Sequence, residues 1–494
     1  MIIVSAYPDG LDINGAETAC IPSLTKFLDS ILPPQIGTHL LPFYPTSGDS
    51  GFAVDDWFTV RTSFGSWSDI RSLASRRRLV VDGIYNHIGM GHKWMKQFMM
   101  FPETASSLLH AYQTADTSSG PVSPRGEPVL HRCDAPGGPW CIWQTFTTAA
   151  VDIRLENADV RREIDEHLTL LRSNSVWGVR LDAVAYYSKF LGSQIRHNPG
   201  VHEIVDSIAE QVDSHGMRVF AQLDCDAAGQ QYFRKDSQAN YVVNDFAYAI
   251  YLTLALISND PKPLVSHLLR TANIRPICLR SPRNHDGLLL RSGLLDPIDK
   301  VRFLAAVANY GIVPRIIGET PYELNCSGPF LYSLAAGREL VDDLIALSVA
   351  ITGMTSGWSY FYLPFLLGHV PEDSATTTQE ADPRELNRQR VPQSHITEFL
   401  HSQRRENLRE LLALLSVIHG ERNLCSHWES PSASVEGDRI LSLLAPGGRY
   451  RLLANFDNDR SWTLQGSLTG SLVLGNRLDG NALAPWGFGI WNVQ

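Results

Sequence analysis

Short apolar runs alternate with amphipathic stretches along most of the chain. Ile2–Ala6 is the first run, and Pro22 then opens a helix with Leu24, Phe27, Leu28 and Ile31 on one face, which is helical spacing. Thr38–Phe43 is the second run; Asp69–Arg77 reads as a helix and Leu79–Tyr85 as a strand. After an interruption the rhythm resumes with helix Ala158–Arg172, strand Val176–Asp182, helix Val201–His215 and strand Met217–Leu223. Weaker strands are expected near Tyr241–Asn244, Pro276–Leu279 and Ile312–Ile317, with helices between them. Strands alternating with helices imply parallel pairing with both sheet faces covered, and about eight such units suggest a closed (β/α)8 barrel over an open sheet.

Two polar segments break the rhythm. Gln113–Trp140, rich in Ser, Pro, Gly and Thr, follows the strand that ends near Asn86, which places it at the C-terminal rim of the barrel. His369–Arg390 is a second loop of that kind. From about Arg439 short alternating runs separated by turn signals predict a small antiparallel β domain. The expected division is barrel (1–86), insertion (87–150), barrel again (151–360), rim loop (361–400), final barrel helix and connection (401–437) and C-terminal β domain (438–494).

Composition narrows the classes. Acidic residues outnumber basic ones by 52 to 42, a net charge of −10, which disfavours nucleic acid or an anionic membrane as a partner because both demand basic patches. No run approaches the roughly 20 apolar residues of a membrane span. Seven scattered cysteines without a CxxC pair, and an N-terminus that reads as a strand and not a leader, fit reduced thiols in a cytoplasmic protein. No metal-ligand spacing or phosphate-cradling Gly-rich loop stands out, so no cofactor and no metal are expected.

In a barrel of this type the polar residues that matter sit where strands end. Asp82 and His87 lie in VDGIYNHIG, Arg180 and Asp182 close VWGVRLD, Gln222 and Asp224 close VFAQLD, and His285 and Asp286 lie in SPRNHDG. Period-two alternation puts Arg180 and Asp182 on one face, and likewise Gln222 and Asp224. Singly, each has a structural explanation: a core histidine, an ion pair, a hydrogen-bond acceptor. Together they bring carboxylates, two imidazoles and an arginine to one rim.

The order Asp82…Asn86-His87, Gly178-Val179-Arg180-Leu181-Asp182, the strand end near Gln222, and Asn284-His285-Asp286 resembles the four signature regions of the α-amylase superfamily, glycoside hydrolase family 13. TyrProAsp at 7–9, HLLPFYPTSGDSGFA at 39–53, SFGSWSDI at 63–70, Thr145-Phe146 and Arg384-Glu385-Leu386-Asn387-Arg388 look like its sucrose phosphorylase branch. The resemblance implies B- and B′-type rim insertions on the barrel, and a retaining transfer of an α-glucosyl group. The donor would be sucrose, a related α-glucoside or glucose 1-phosphate, and the acceptor phosphate or another group. Asp182 would be the nucleophile that forms a covalent glucosyl-enzyme, with Arg180 holding it ionised. Asp286 would grip the sugar 2- and 3-hydroxyls, His87 and His285 would bond sugar hydroxyls, and Asp49 and Arg388 would fix the 4-hydroxyl. Phe52 and Phe146 would wall the sugar site, and Tyr186 would lie on the acceptor side. A homodimer is compatible with this reading.

Two departures change the argument. The family's acid/base glutamate aligns with Gln222, a carboxamide that transfers no proton usefully near neutral pH, although general acid–base catalysis contributes roughly 10²–10⁴-fold. Asp224 stands where sucrose phosphorylases carry a histidine, and its negative charge should disfavour phosphate unless Arg388, Arg390 or another base compensates. Three readings of Gln222 follow, in order of preference. It is a deliberate Glu→Gln substitution that traps substrate or intermediate; or a natural residue in a protein that uses Asp224 or Asp226 as acid, or a donor activated enough to need little; or the mark of a non-catalytic sugar-binding protein. Hydrolysis, or transglycosylation to a non-phosphate acceptor, is the alternative activity.

Overall fold

Eight short runs whose residues are almost all buried form the centre of the molecule: β1 (Ile2–Ala6), β2 (Gly37–Leu40), β3 (Leu79–Gly83), β4 (Gly178–Leu181), β5 (Arg218–Ala221), β6 (Tyr241–Asn244), β7 (Ile277–Arg280) and β8 (Trp358–Tyr362). Burial on both faces is what a parallel sheet wrapped by helices requires. In the computed structural model, which describes the chain except residues 14–18, 125, 224–240, 273–276, 292, 318–319, 371–385, 423–431, 465–469 and 494, these strands pair in parallel and in chain order, and β8 closes on β1. The fold is an α/β (β/α)8 barrel followed by an antiparallel sheet.

Seven strands lie where the hydrophobic pattern expects them, within a few residues. The eighth does not. Arg315–Ile317, expected as a barrel strand, pairs antiparallel with Thr320–Leu324 in a three-stranded sheet with Leu288–Leu289, and Ile316 is exposed. The eighth strand is the WSYFY run, buried throughout and preceded by helix Val341–Met354, itself buried almost all round. Neither element alternates polar with apolar residues, so neither shows a period. At Gly357 the backbone is left-handed (φ 87), and a Cβ there would collide with the Cys278 carbonyl, so this glycine lets β8 come alongside β7.

Side chains fill the barrel in layers. Ile3, Val80, Phe220, Val242, Leu279 and Trp358 pack together with Met1 and Tyr360. Toward the strand C-termini a polar belt follows: Asp82 bonds His39 Nε2 (3.2 Å) and Arg180 Nη1 (2.5 Å), and His39 Nδ1 bonds Tyr360 Oη (2.8 Å). This belt joins β2, β3, β4 and β8. Burial alone would raise the Asp82 pKa, but His39 and Arg180 hold it well below the usual carboxylate range.

Short antiparallel pieces decorate the rim: Thr46–Gly48 with Ala53–Val54, His87–Gly89 with Ala150–Asp152, and Ala111–Tyr112, Trp140–Trp143 and Leu130–Cys133 together. The C-terminal sheet runs Ser432–Glu436, Ile440–Leu444, Tyr450–Asn455, Ala482–Asn492, Trp462–Thr463, with Ser471–Asp479 also on Ala482–Asn492. It packs on helix Val341–Met354. No helix among the described residues is long and apolar enough to cross a membrane.

Removing one partner of a buried ion pair costs about 3–5 kcal/mol, so Asp82→Ala should lower the unfolding free energy by that amount in urea titrations. Because the folded pKa of Asp82 is depressed, its stabilisation is present above its ordinary unfolded pKa of about 3.9 and is lost as pH falls below it. The wild-type–mutant difference should therefore shrink in acid; a difference independent of pH would contradict this account.

Candidate active site

Asp182 follows β4 directly, and alternation along that strand sets Gly178, Arg180 and Asp182 toward the barrel axis. One guanidinium nitrogen, Arg180 Nη1, meets both Asp82 Oδ1 (2.5 Å) and Asp182 Oδ1 (3.1 Å). The chain then turns through Ala183 in the left-handed region (φ 53), which costs on the order of 1–3 kcal/mol for a non-glycine residue. The Ala183 N–H donates to Gln222 Oε1 (3.1 Å), and the Gln222 N–H to the Leu181 carbonyl (3.1 Å). Gln222 therefore stands beside Asp182 at the end of β5, its amide oxygen occupied.

The expected effect of Arg180 on Asp182 is present but does not prevail. Burial raises the Asp182 pKa most; Arg180 lowers it; Asp82, Asp286 and Asp49 raise it again, and the result is about 7. The expectation that Arg180 holds this carboxyl firmly ionised is corrected: Asp82 competes for the same guanidinium nitrogen at shorter range.

Asp286, past the end of β7, accepts from Arg388 Nη2 (3.0 Å), and Arg388 Nη1 lies 3.5 Å from Asp49 Oδ1. Burial pushes Asp286 upward, but His285, Arg388 and Arg180 outweigh it and its pKa is lowered. Asp49 sits in a tight turn with Ser50, both at positive φ (53 and 50). The Arg388 guanidinium also covers the Phe52 ring (5.3 Å), which stacks on His285 (5.6 Å, 14°). Desolvation drops His285 to about 3, so it is neutral at neutral pH. Its Nε2 is 3.4 Å from Asp286 Oδ2, yet both buried ring nitrogens lack a hydrogen-bond partner among the described residues. A polyhydroxy ligand would satisfy them.

His87 differs from its expected part. Its Nε2–H donates to the Phe52 carbonyl (3.1 Å) and its Nδ1 accepts from Asn86 (3.1 Å), so both ring nitrogens are engaged by protein. The fixing network continues to Lys189, fully buried, which bonds Asn86 Oδ1 (2.7 Å) and Asp152 Oδ2 (3.1 Å); Thr145 donates to the same Asp152 oxygen (2.6 Å). That anchors Phe146, whose ring lies 5.4 Å from His87 and 5.0 Å from Tyr186.

Asp49, Phe52, His87, Phe146, Asp182, Tyr186, Gln222, His285, Asp286 and Arg388 line one cavity, with Arg180 directly beneath Asp182. Asp224 and Asp226 lie outside the described residues. Arg390, considered as a compensating cation, instead pairs with Asp9 at the surface (2.6 Å). The cavity also contains groups that sequence reasoning missed: Arg291, Arg315, Tyr322 and Glu323. Arg291 hydrogen-bonds Tyr186 and lies over the Tyr322 ring (4.7 Å). Except for Arg291, these residues come from the stretch 315–324, which overlaps the strand expected at Ile312–Ile317 and in which no motif marks them.

The profile of the alpha amylase catalytic domain matches residues 35–251. Over that stretch the chain is similar to the catalytic domain of the α-amylases, glycoside hydrolase family 13. A glucosylglycerate phosphorylase of Spirochaeta thermophila is 28% identical over 337 residues, which are 65% of this chain and 57% of that protein's length. Another, of Allomeiothermus silvanus, is 27% identical over 399 residues, 74% of this chain and 68% of its own. A sucrose 6(F)-phosphate phosphorylase of Thermoanaerobacterium thermosaccharolyticum is 23% identical, with 82% of this chain and 85% of that one covered. The crystal structure of a sucrose 6F-phosphate phosphorylase superposes with a TM-score of 0.77 at 20% identity, over 92% of this chain and 93% of the other. An isomaltulose synthase mutant of Erwinia rhapontici in complex with sucrose gives 0.71 at 15%, over 99% and 98%. At these identities the two structures establish the fold alone.

Within this cavity, Asp182 should titrate near pH 7. The carboxyl infrared band absent from Asp182→Asn is the measurement. Arg180→Met removes the cation that lowers this pKa, so the titration should move upward; an Asp182 titration below pH 5 would contradict the picture.

Proposed function

We propose that this chain transfers an α-glucosyl group with retention, through a covalent glucosyl–Asp182 intermediate, from an α-glucoside to an anionic acceptor, phosphate foremost. The observation that carries this is the make-up of one cavity: a nucleophile-placed Asp182 beside the Asp49–Arg388–Asp286 clamp, and Arg291 and Arg315 lining the same space. The phosphorylase relatives support it, since they are named for the phosphorolysis of glucosylglycerate and of sucrose 6(F)-phosphate.

In this reading the sugar docks with its ring against Phe52 and Phe146, and its hydroxyls meet Asp286, Arg388, Asp49 and the neutral His285. Asp182, ionised, attacks the anomeric carbon from the β4 side as the leaving oxygen departs. Asp286, kept ionised by Arg388, holds the neighbouring hydroxyls as positive charge develops on the ring. Arg291 and Arg315 offset the negative charge of a phosphate or carboxylate acceptor. This is the compensation that the acidic Asp224 demands, and Arg390 does not provide it.

Gln222 favours a second reading, in which the chain binds sugars and does not turn them over. The two separate on incubation with sucrose or a glucosylglycerate, with and without phosphate. Expected are α-glucose 1-phosphate formed only with phosphate, and a hexosyl adduct on the peptide containing Asp182 in quenched samples. Asp182→Asn should remove both; sugar phosphate formed by that variant would overturn the mechanism, and binding without adduct or product would establish the sugar-binding reading. A hydrogen bond to a charged group is worth about 1.5–3 kcal/mol, so Arg291→Met and Arg315→Met should each raise the KM for phosphate about tenfold to a hundredfold.

A further inference from the structure

The reaction proposed above needs a proton at the leaving oxygen, and Gln222 has none to give usefully. One carboxyl of the cavity has no part in that scheme: Glu323, on the strand Thr320–Leu324 of the rim sheet, buried and lining the same cavity as Asp182, Gln222 and Asp286.

Its setting is constructed. The strand pairs Glu323 with Leu289 on one side and with Arg315 on the other, and Leu289 is three positions beyond Asp286. Directly after Asp286 comes Gly287; a Cβ there would lie 2.6 Å from Glu323 Cγ and 2.8 Å from its Oε1. The side chain therefore rests on bare backbone next to Asp286. Its orientation is fixed by a one-way relay of amides: Arg283 Nη2 donates to Asn387 Oδ1 (3.4 Å), Asn387 Nδ2 to Asn325 Oδ1 (3.3 Å), and Asn325 Nδ2 to Glu323 Oε2 (3.2 Å). Arg283 can only donate, so each amide downstream has its oxygen turned toward its donor and its nitrogen onward. Oε2 is thereby held as an acceptor, and a carboxyl proton falls on Oε1, which has no protein hydrogen bond among the described residues. Burial and then Asp286 push this carboxyl up, against Asn325, Arg291 and Arg315, while Asp286 itself is held down. Neighbouring carboxyls driven apart in this way divide into one that stays charged and one that carries a proton.

We infer that Glu323 supplies the proton-transferring carboxyl that position 222 lacks, with Oε1–H as the acid. This rests on the glucosyl-transfer reading. In the first step Asp182 forms the bond to the anomeric carbon, the bond to the leaving oxygen breaks, and that oxygen takes the Oε1 proton, leaving Glu323 as carboxylate. In the second, the acceptor oxygen attacks the anomeric carbon, its proton returns to Glu323, and the bond to Asp182 breaks. Gln222, its oxygen held by the Ala183 N–H, serves as a neutral neighbour that adds no further charge beside Asp182.

The test compares two donors: α-glucosyl fluoride, whose leaving group needs no proton, and an alkyl α-glucoside such as sucrose, whose leaving group does. Glu323→Gln, nearly isosteric, should keep fluoride release within a few-fold and lower sucrose turnover on the order of 10²–10⁴-fold. It should also abolish the alkaline limb of kcat/KM for sucrose, and external azide should be captured as α-glucosyl azide. Adding Gln222→Glu to that variant should restore sucrose turnover by moving the carboxyl to β5. Equal losses with both donors, or sucrose turnover within threefold of the wild type, would overturn the assignment to Glu323. If the wild type releases fluoride but does not turn over sucrose, Glu323 fails while the nucleophile stands. If it releases no fluoride, the glucosyl-transfer reading falls and this assignment with it.

Discussion

The site is organised around one buried cation with two buried carboxylates competing for it. Arg180 Nη1 sits between Asp82 at 2.5 Å and Asp182 at 3.1 Å. Burying charge is expensive unless it is paired; here one cation serves two carboxyls, and the division is unequal. Asp82 has His39 as a second partner and is held far down, whereas Asp182 faces three further carboxylates and is left near pH 7. The same contact ties β3 to β4 and, through His39 and Tyr360, to β2 and β8. One guanidinium thus both cross-links neighbouring barrel strands and sets the position of Asp182.

Around it the cavity separates into regions of different electrostatic character. On one side the Asp49–Arg388–Asp286 series alternates in charge and is braced by the Phe52 ring, with a neutral His285 whose nitrogens have no protein partner among the described residues. Elsewhere Arg291 and Arg315 accompany Tyr186 and Tyr322, with Glu323 set against Gly287. Orientation on both sides comes from buried amides and cations that never reach the cavity. Lys189 and Asn86 fix His87, and Arg283, Asn387 and Asn325 fix Glu323. Asn387 and Arg388 are adjacent, so one short segment serves the clamp and the relay together.

The seven recognised barrel strands and the C-terminal sheet were legible because each is a short apolar or alternating run bounded by turn residues, a local signal. The residues at strand ends were legible for the same reason: Arg180 and Asp182 share a face by period-two spacing alone, and the structure places both where that spacing requires. The eighth strand was not, because WSYFY and the helix before it are buried on every side and carry no period. Lys189, in the apolar phrase AVAYYSKF, and Glu323, in TPYEL, are single charged residues whose partners lie far away in sequence.

What the sequence determined by itself was therefore the set of short-range patterns: strands, helices, and the carboxylates, imidazoles and arginine that strand ends present to one rim. The tertiary structure decided how those groups share charge. It gave Arg180 mainly to Asp82, engaged both nitrogens of His87 while leaving those of His285 open, and folded the segment after β7 back so that Arg315 and Glu323 face the same cavity as Asp182. The reason is physical: the ionisation of a buried group depends on distances of a few ångströms to groups scores of residues away, and only the closed barrel sets those distances.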